Sequence, residues 1–143
     1  MTREILFRGR ISKNEWVYGL PIEGEPLMGR GKETCIVTKP GLSYYDGVLM
    51  TYDECVEVDP DTIGQFTGLT DRNGTKIFEG DVVKFKYFDD WIGKIEYDSD
   101  SALFTVIFAD GDDDYFGRVS CGDCEVIGNI YDNPELLEVS KSD

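Results

Sequence analysis

The chain has 143 residues, enough for one or two compact domains with a core of their own. It carries 29 acidic and 14 basic residues, a formal net charge of −15, and its hydrophobic fraction of 41% is too high for a disordered acidic tail. Because this charge repels phosphate groups, the composition argues against sequence-independent binding of nucleic acid and of anionic membrane surfaces.

The N-terminal segment, MTREILFRGR, lacks the continuous apolar run of a signal peptide, and no apolar run of the sequence is long enough to span a bilayer. We therefore expect a soluble, cytoplasmic protein that does not associate with membranes. In that compartment cysteines are kept reduced, so the chain's four are expected to be free thiols: Cys35, Cys55, Cys121 and Cys124.

Short segments of alternating apolar and polar residues, separated by glycine and Asx residues, are typical of an all-β protein. In the first part of the chain they predict strands at residues 5–8, 15–20, 34–38 and 55–58. Residues 20–32 contain two prolines and are predicted to form a loop or irregular lobe. In the segment PDTIG, Asp59 is placed as the N-cap and Pro60 at the first position of a short helical connector.

The stretch TGLTDRNGTK predicts a β-hairpin with arms at residues 66–70 and 75–78. Asp71 can accept hydrogen bonds from backbone groups two residues on. Asn73 and Gly74 tolerate the positive φ angles of a type I′ turn, or of a type I turn with a glycine bulge. The pattern therefore indicates a hairpin but leaves the turn type open.

The hairpin is followed by the segment EGDVV, in which Gly80 and Asp81 are predicted to bend the chain into the next strand. We interpret these two residues, with Asp71, Asn73 and Gly74, as structural turn residues. The alternative is that Glu79 and Asp81 flank a binding cleft.

The remaining alternations predict strands from residue 82, at 91–97, 103–109 and 126–131, and a capped helical turn at 132–137. Several short strands in close succession are typical of a small closed or partly closed barrel. Nine aromatic residues on the strand alternations are predicted to lie in the core: Trp16, Tyr18, Phe85, Tyr87, Phe88, Trp91, Tyr97, Phe104 and Phe108.

Two motifs have the spacing of ion sites. Cys121 and Cys124 form a CxxC pair, but the chain has no second CxxC and no histidine, so ordinary thiols are favoured over a zinc site. The acidic segment of residues 110–114 has acids at positions 1, 3 and 5 of a calcium loop, but Tyr115 and Cys121 replace its glycine and its glutamate. A hairpin tip is favoured there, and binding of a divalent ion to it is left open. We expect no cofactor and no metal.

The absence of histidine removes the usual base of serine and cysteine nucleophiles. Carboxylate pairs could act on a glycoside, but in a chain with 29 acids such pairs arise by chance. We therefore expect no enzymatic activity and assign no catalytic residue.

Four segments occur in the order typical of one family: REILFRGR, EWVYG, VDPDTIGQFTGLTDRNGTKIFEGDVVKF and EVIGNIYDNPELL. Through them the chain resembles the YopX family of phage and prophage proteins from about residue 3 to residue 137. The resemblance implies a mainly β protein with an SH3-like barrel in its C-terminal part, encoded by a phage or an integrated element of a bacterial host. It also implies self-association, and it implies no catalytic residues.

On this basis we expect a single YopX-like chain, residues 1–143. Its parts would be an N-terminal β lobe with connector (1–63), a hairpin with the SH3-like barrel (64–137) and a tail (138–143).

Two functions follow as hypotheses. The first is a homo-oligomeric, non-enzymatic interaction protein whose acidic face binds an unidentified host or phage protein. The second is a nucleic-acid-associated barrel that uses a patch of Lys84, Lys86 and Lys94. Clustering of these lysines on one open face, away from the acids, would favour the second hypothesis.

Overall fold

The computed structural model describes residues 4–24, 33–86, 90–111, 113–115 and 123–138. The mainly β class predicted from the sequence is confirmed. The elements are β1 (Phe7–Ser12), β2 (Glu15–Gly24), β3 (Glu33–Tyr45), β4 (Val48–Glu57), β5 (Asp59–Thr70), β6 (Lys76–Phe78), β7 (Asp81–Phe85), β8 (Trp91–Asp98), β9 (Leu103–Phe108), β10 (Asp113–Tyr115), β11 (Cys124–Asn129) and a 3-10 helix (Pro134–Leu137).

The chain divides into two compact units. The N-terminal unit is Leu6–Gln65, and the C-terminal unit consists of Met1–Ile5 and Phe66–Asp143. Strand β5 passes from one unit to the other without interruption. The helical connector predicted before residue 64 is therefore absent from the described chain.

The N-terminal unit is an antiparallel sheet in the order β4-β3-β2-β1-β5. Strand β2 changes partner along its length: residues up to Gly19 pair with β1, and residues from Leu20 onward pair with β3. At the change, a Cβ on Gly19 would lie 1.9 Å from the carbonyl oxygen of Val37, so no larger residue fits. The predicted loop after Leu20 is wrong for residues 20–24, because Pro21 lies beyond the β1 pairing, where a strand tolerates proline.

Strands β3 and β4 form a hairpin much longer than the two short strands predicted from the sequence. Its turn is made by Asp46 and Gly47, whose φ angles are 55° and 80°. Positive φ at both central residues is the requirement of a type I′ hairpin turn, which Asp-Gly satisfies. The Asp46-Gly47 pair is a sequence signal for a hairpin that the strand predictions did not use.

The predicted N-cap at Asp59 is wrong, because residues 59–70 are extended. The Asp59 carboxylate does accept a hydrogen bond from the backbone of Asp61, at 3.0 Å. Asp59 itself pairs with Arg10 of β1, and the Thr62 hydroxyl accepts a 3.0 Å hydrogen bond from the Arg10 backbone N–H. The bond from Asp61 to the Asp59 side chain is that of an Asx turn, which also occurs at helix N-caps. Here the pairing with β1 holds the chain extended, so no helix follows.

In the C-terminal unit, the order of the main sheet is β10-β9-β8-β7-β11, and β6 pairs with β5. One face of this sheet buries a core of Ile77, Val83, Phe85, Ile95, Val106, Phe108 and Cys124. Each large apolar side chain buried in this way contributes about 1.5–3 kcal/mol through the hydrophobic effect. Because alternate residues of β7, β8 and β9 enter this core, it explains the alternation of apolar and polar residues in their sequences.

The described strands of the C-terminal unit do not form a closed barrel, since β10 and β11 are the two edges of the sheet. The outer edge of β11 bonds instead to the turn after β5. The backbone N–H of Arg72 donates to the carbonyl oxygen of Cys124 (3.0 Å), and the N–H of Val126 donates to the carboxylate of Asp71 (2.9 Å). These two hydrogen bonds cover the first part of the β11 edge without a closing strand.

The predicted helical turn at residues 132–137 is present as a 3-10 helix. Its N-cap residue, Asn133, does not cap it with a side-chain bond; the side-chain oxygen accepts instead from the backbone N–H of Asn129, at 3.3 Å. A Cβ on Gly128 would lie 2.6 Å from that oxygen, so a larger residue there would displace the Asn133 side chain. None of the described helical residues belongs to a segment that could span a membrane.

Candidate functional site

Asp71 holds together the turn between β5 and β6. Its Oδ1 accepts hydrogen bonds from the backbone N–H groups of Asn73 and Thr75, both at 2.9 Å. The N–H of Gly74 donates to the Asp71 carbonyl oxygen at 3.0 Å, and Gly74 has a φ of 81°. Asn73 is not among the residues with positive φ, so the turn is type I with a glycine bulge rather than type I′.

The other oxygen of Asp71 reaches β11. Oδ2 accepts the hydrogen bond from Val126, 55 residues away in sequence, and the side chain is buried. Burial alone would raise the pKa of Asp71, but the bonds from Val126, Thr75 and Asn73 and the charge of Arg72 lower it below its ordinary value. Asp71 is therefore an ionised, buried tie between the hairpin and the sheet.

Gly80 and Asp81 form the bend that leads into β7. Gly80 has a φ of 92°, its N–H donates to the Ile95 carbonyl at 2.8 Å, and its own carbonyl accepts from Ile130 at 2.9 Å. The buried Asp81 accepts a 2.7 Å bond from the backbone N–H of Phe78. These contacts assign both residues a structural part in the bend.

The lysine patch lies on the face of the C-terminal sheet opposite the core, and acids are interleaved with it. Lys84 is directly across from Glu125 on β11, and Lys94 forms an ion pair with Glu96 at 2.8 Å. Lys86 is exposed just beyond the end of β7. The structure thus brings Lys84 and Lys94 onto neighbouring strands, but not away from acids.

The cysteines occupy different environments. Cys124 is buried in the core, Cys35 is half-buried on β3 and Cys55 is exposed on β4; all three are free thiols. Cys121 lies outside the described residues, so the CxxC pair is not described. Within the described ranges, no three acidic or cysteine side chains are grouped as metal ligands. Of the acidic segment, Asp112 and the side chains of residues 113 and 114 also lie outside the description.

The aromatic residues divide differently from the prediction. Phe85 and Phe108 are buried, but Tyr18, Trp91 and Tyr97 are exposed, so their core assignment is wrong. Trp91 packs edge-on against Phe108, with ring centroids 5.2 Å apart, at the margin of the core. Tyr87 and Phe88 lie outside the described residues.

Sequence reasoning missed an exposed apolar row on β2. Tyr18, Leu20 and Ile22, which we call the β2 row, alternate along the strand with exposed fractions of 48%, 51% and 48%. Because alternate residues of a strand share one face, all three project from the same side of the sheet. The sequence signal for the row was the alternation of these large side chains with Gly19 and Pro21. The predicted strand ended at residue 20, so it left out Ile22 and the alternation was not recognised.

Two comparisons relate the chain to known proteins, and a third finds no match. A family model described as "YopX protein" matches residues 7–138. The crystal structure of protein EF1440 from Enterococcus faecalis is similar in fold, with a TM-score of 0.63 and 24% sequence identity, over 96% of this chain and 100% of that one. No curated protein matches the chain. The solved structure supports the fold and carries no statement about activity.

Proposed function

The chain belongs to the YopX family, and from this premise we propose that it is a non-enzymatic accessory protein of a phage or prophage that acts by binding another protein. The proposal places it in the cytoplasm of the bacterial host as a homo-oligomer, without cofactor. The family supports its phage-type character. The partner's chemistry is argued from this chain's own charges.

The observation that carries the proposal is the uneven distribution of charge. The C-terminal unit contains 19 of the 29 acidic residues and 8 of the 14 basic ones. Two of its lysines are neutralised locally: Lys76 pairs with Glu4 at 2.9 Å, and Lys94 pairs with Glu96. Exposed acids of this unit include Asp100, Asp110, Glu135 and Glu138. The unit therefore presents an excess of negative charge to solvent.

A surface of this kind favours encounter with a cationic protein and opposes encounter with nucleic acid. Long-range potential acts mainly on association rate, and it is screened over about 8 Å at physiological salt. We therefore expect partner binding that weakens as salt is raised.

The nucleic-acid alternative is disfavoured by the arrangement of the lysines. Binding along a phosphate backbone needs a continuous positive path, whereas Glu96 and Glu125 are interleaved with Lys94 and Lys84. The proposal and the alternative make opposite predictions about duplex DNA.

The test measures association with two probes, an oligolysine peptide and duplex DNA, by surface plasmon resonance at several salt concentrations. We expect salt-sensitive binding of oligolysine and no DNA binding at physiological salt. Asp100→Asn with Glu135→Gln should slow oligolysine association by about twofold or more, since charges near an interface act on the on-rate. Asp46→Asn with Glu54→Gln changes net charge equally in the N-terminal unit and is the matched control.

Two results would overturn the proposal. Sub-micromolar affinity for duplex DNA at physiological salt would favour the nucleic-acid alternative. Equal effects of the two double substitutions would show that no acidic face of the C-terminal unit is involved. The oligomeric part is tested separately by sedimentation velocity, where a monomer at every concentration would contradict it.

A further inference from the structure

The β2 row belongs to a larger apolar face of the N-terminal unit. Leu20 lies directly across from Val37 on β3, and Ile22 lies across from Cys35. Val37 is buried and Cys35 half-buried, so the exposed side chains of the row adjoin packed apolar neighbours. Contiguous apolar surface of this kind marks interaction sites, whereas isolated exposed residues do not.

Among the residues that the structure describes, the charges at the Ile22 end of this face are negative. Glu57, which is exposed, lies directly across from Cys35, and Glu33 lies across from Gly24 at the end of β2. The Cys35 thiol responds to them: its pKa is raised by burial and then by the charges of Cys55, Glu57 and Glu33. An apolar face with an acidic margin complements a segment that combines apolar and basic side chains.

Two cations of β1 lie near the other end of the row: Arg8 is directly across from Tyr18, and Arg10 is across from Trp16. Arg8 is buried, and its guanidinium carbon lies 4.5 Å from the centre of the Trp16 ring on the same strand pair. A cation held against an aromatic face beneath the surface contributes to packing of the sheet. An arriving segment therefore meets apolar side chains first and carboxylates at the Ile22 end.

We propose that the β2 row binds an extended segment of a partner protein in which large apolar residues contact Tyr18, Leu20 and Ile22 while a lysine or arginine faces Glu57. The inference rests on the proposed function in requiring a cationic partner, but it uses a surface of the other unit. A second copy that docks through the same row is a poorer occupant, because it brings Glu33 and Glu57 of one copy towards those of the other.

The experiment uses two synthetic peptides of equal length and charge, one alternating leucine with lysine and one alternating serine with lysine, titrated calorimetrically into the full chain. We expect the leucine peptide to bind about tenfold or more tightly than the serine peptide, the ratio of an apolar anchor worth about 1.4 kcal/mol. Leu20→Ser should remove most of this difference.

Leu103→Ser is the matched control, because Leu103 has a comparable exposed fraction of 46% but lies in the C-terminal unit. It should leave the affinity within about twofold, the scale of a surface residue outside an interface. Charge has its own pair: Glu57→Gln should weaken binding and Glu54→Gln, also exposed on β4, should not. Should Leu20→Ser unfold the chain, Ile22→Thr supplies the same comparison with a residue suited to strands.

The outcomes separate the inference from the function on which it rests. Equal weakening by Leu20→Ser and Leu103→Ser would overturn the inference, while retained binding of oligolysine would leave the acidic face intact. An oligomer that Leu20→Ser converts to a monomer would assign the row to a second copy and would also overturn it. The supporting result has two parts. Leu20→Ser, but not Leu103→Ser, removes the difference in affinity between the leucine and serine peptides, and the oligomeric state is unchanged.

Discussion

Replacing Asp71 by asparagine tests the main structural conclusion about the hairpin. The asparagine side chain keeps one oxygen, which can still accept from Asn73 and Thr75, but its amide group would face the backbone N–H of Val126. The side-chain NH₂ group and the Val126 N–H are both donors, so the hydrogen bond that the carboxylate accepted from Val126 is lost. Loss of one hydrogen bond to a charged group costs about 1.5–3 kcal/mol, so we expect the free energy of unfolding to fall by about 2–3 kcal/mol.

The measurement is urea unfolding at neutral pH, and Asp98→Asn is the matched control. Asp98 also accepts two bonds, from the Asp100 backbone and from the Ser101 hydroxyl, but both are local. A hydroxyl can rotate to accept from the new amide, whereas the N–H of Val126 cannot, so the control should lose less than about 1 kcal/mol. Equal losses of unfolding free energy in the two variants would refute the conclusion that the hydrogen bond between Asp71 and β11 stabilises the fold.

The same carboxylate predicts a pH dependence. Its pKa is lowered in the folded chain, so its ionised form contributes stability that is complete above the unfolded value of about 3.9 and is lost as pH falls through the folded pKa. The difference in unfolding free energy between the wild type and Asp71→Asn should be constant above about pH 5 and shrink below about pH 4. If the difference in unfolding free energy between the two proteins grew on acidification, the pKa of Asp71 would not be lowered in the folded chain.

Three glycine and alanine positions give further predictions, all measured by urea unfolding. Gly19→Ala should prevent folding or cost several kcal/mol, because its Cβ would overlap the Val37 carbonyl; Gly24→Ala in the same strand meets nothing and should be nearly neutral. Gly74→Val should cost about 1–2 kcal/mol through its positive φ alone, and an unchanged midpoint would contradict the turn geometry. Ala102→Gly should raise stability by about 0.5–1 kcal/mol, since Ala102 has a φ of 57°; a loss would show that the left-handed conformation is not strained.

The turns were the most predictable part of the fold because their chemistry is local. Asp71 and Gly74 indicated the hairpin after β5, and the preference of glycine for positive φ is independent of distant contacts. The type of turn was not predictable, since Asn73 is compatible with either conformation. Asp59 shows the limit of such signals: its side-chain bond occurs as expected, but pairing with β1 extends the chain.

The candidate sites were less predictable, because each depends on which neighbours the sheet provides. Lys84 and Lys94 alternate with apolar residues in sequence and read as a basic face, but the strand order places Glu125 beside the first lysine, and Glu96 pairs with the second. For the β2 row the missing information was which face the core covers. Alternation identifies two faces and does not say which one remains exposed.

The sequence by itself determined the mainly β class, the positions of the tight turns, the excess of negative charge and, through its spaced segments, the YopX family. These depend on composition and on interactions within a few residues. The tertiary structure alone decided that Asp71 binds Val126, 55 residues away, that β11 remains an edge, and that Leu20 is exposed while Val37 across from it is buried. The reason is physical: pairing distant strands fixes register and burial together, and neither quantity is contained in the residues of one strand.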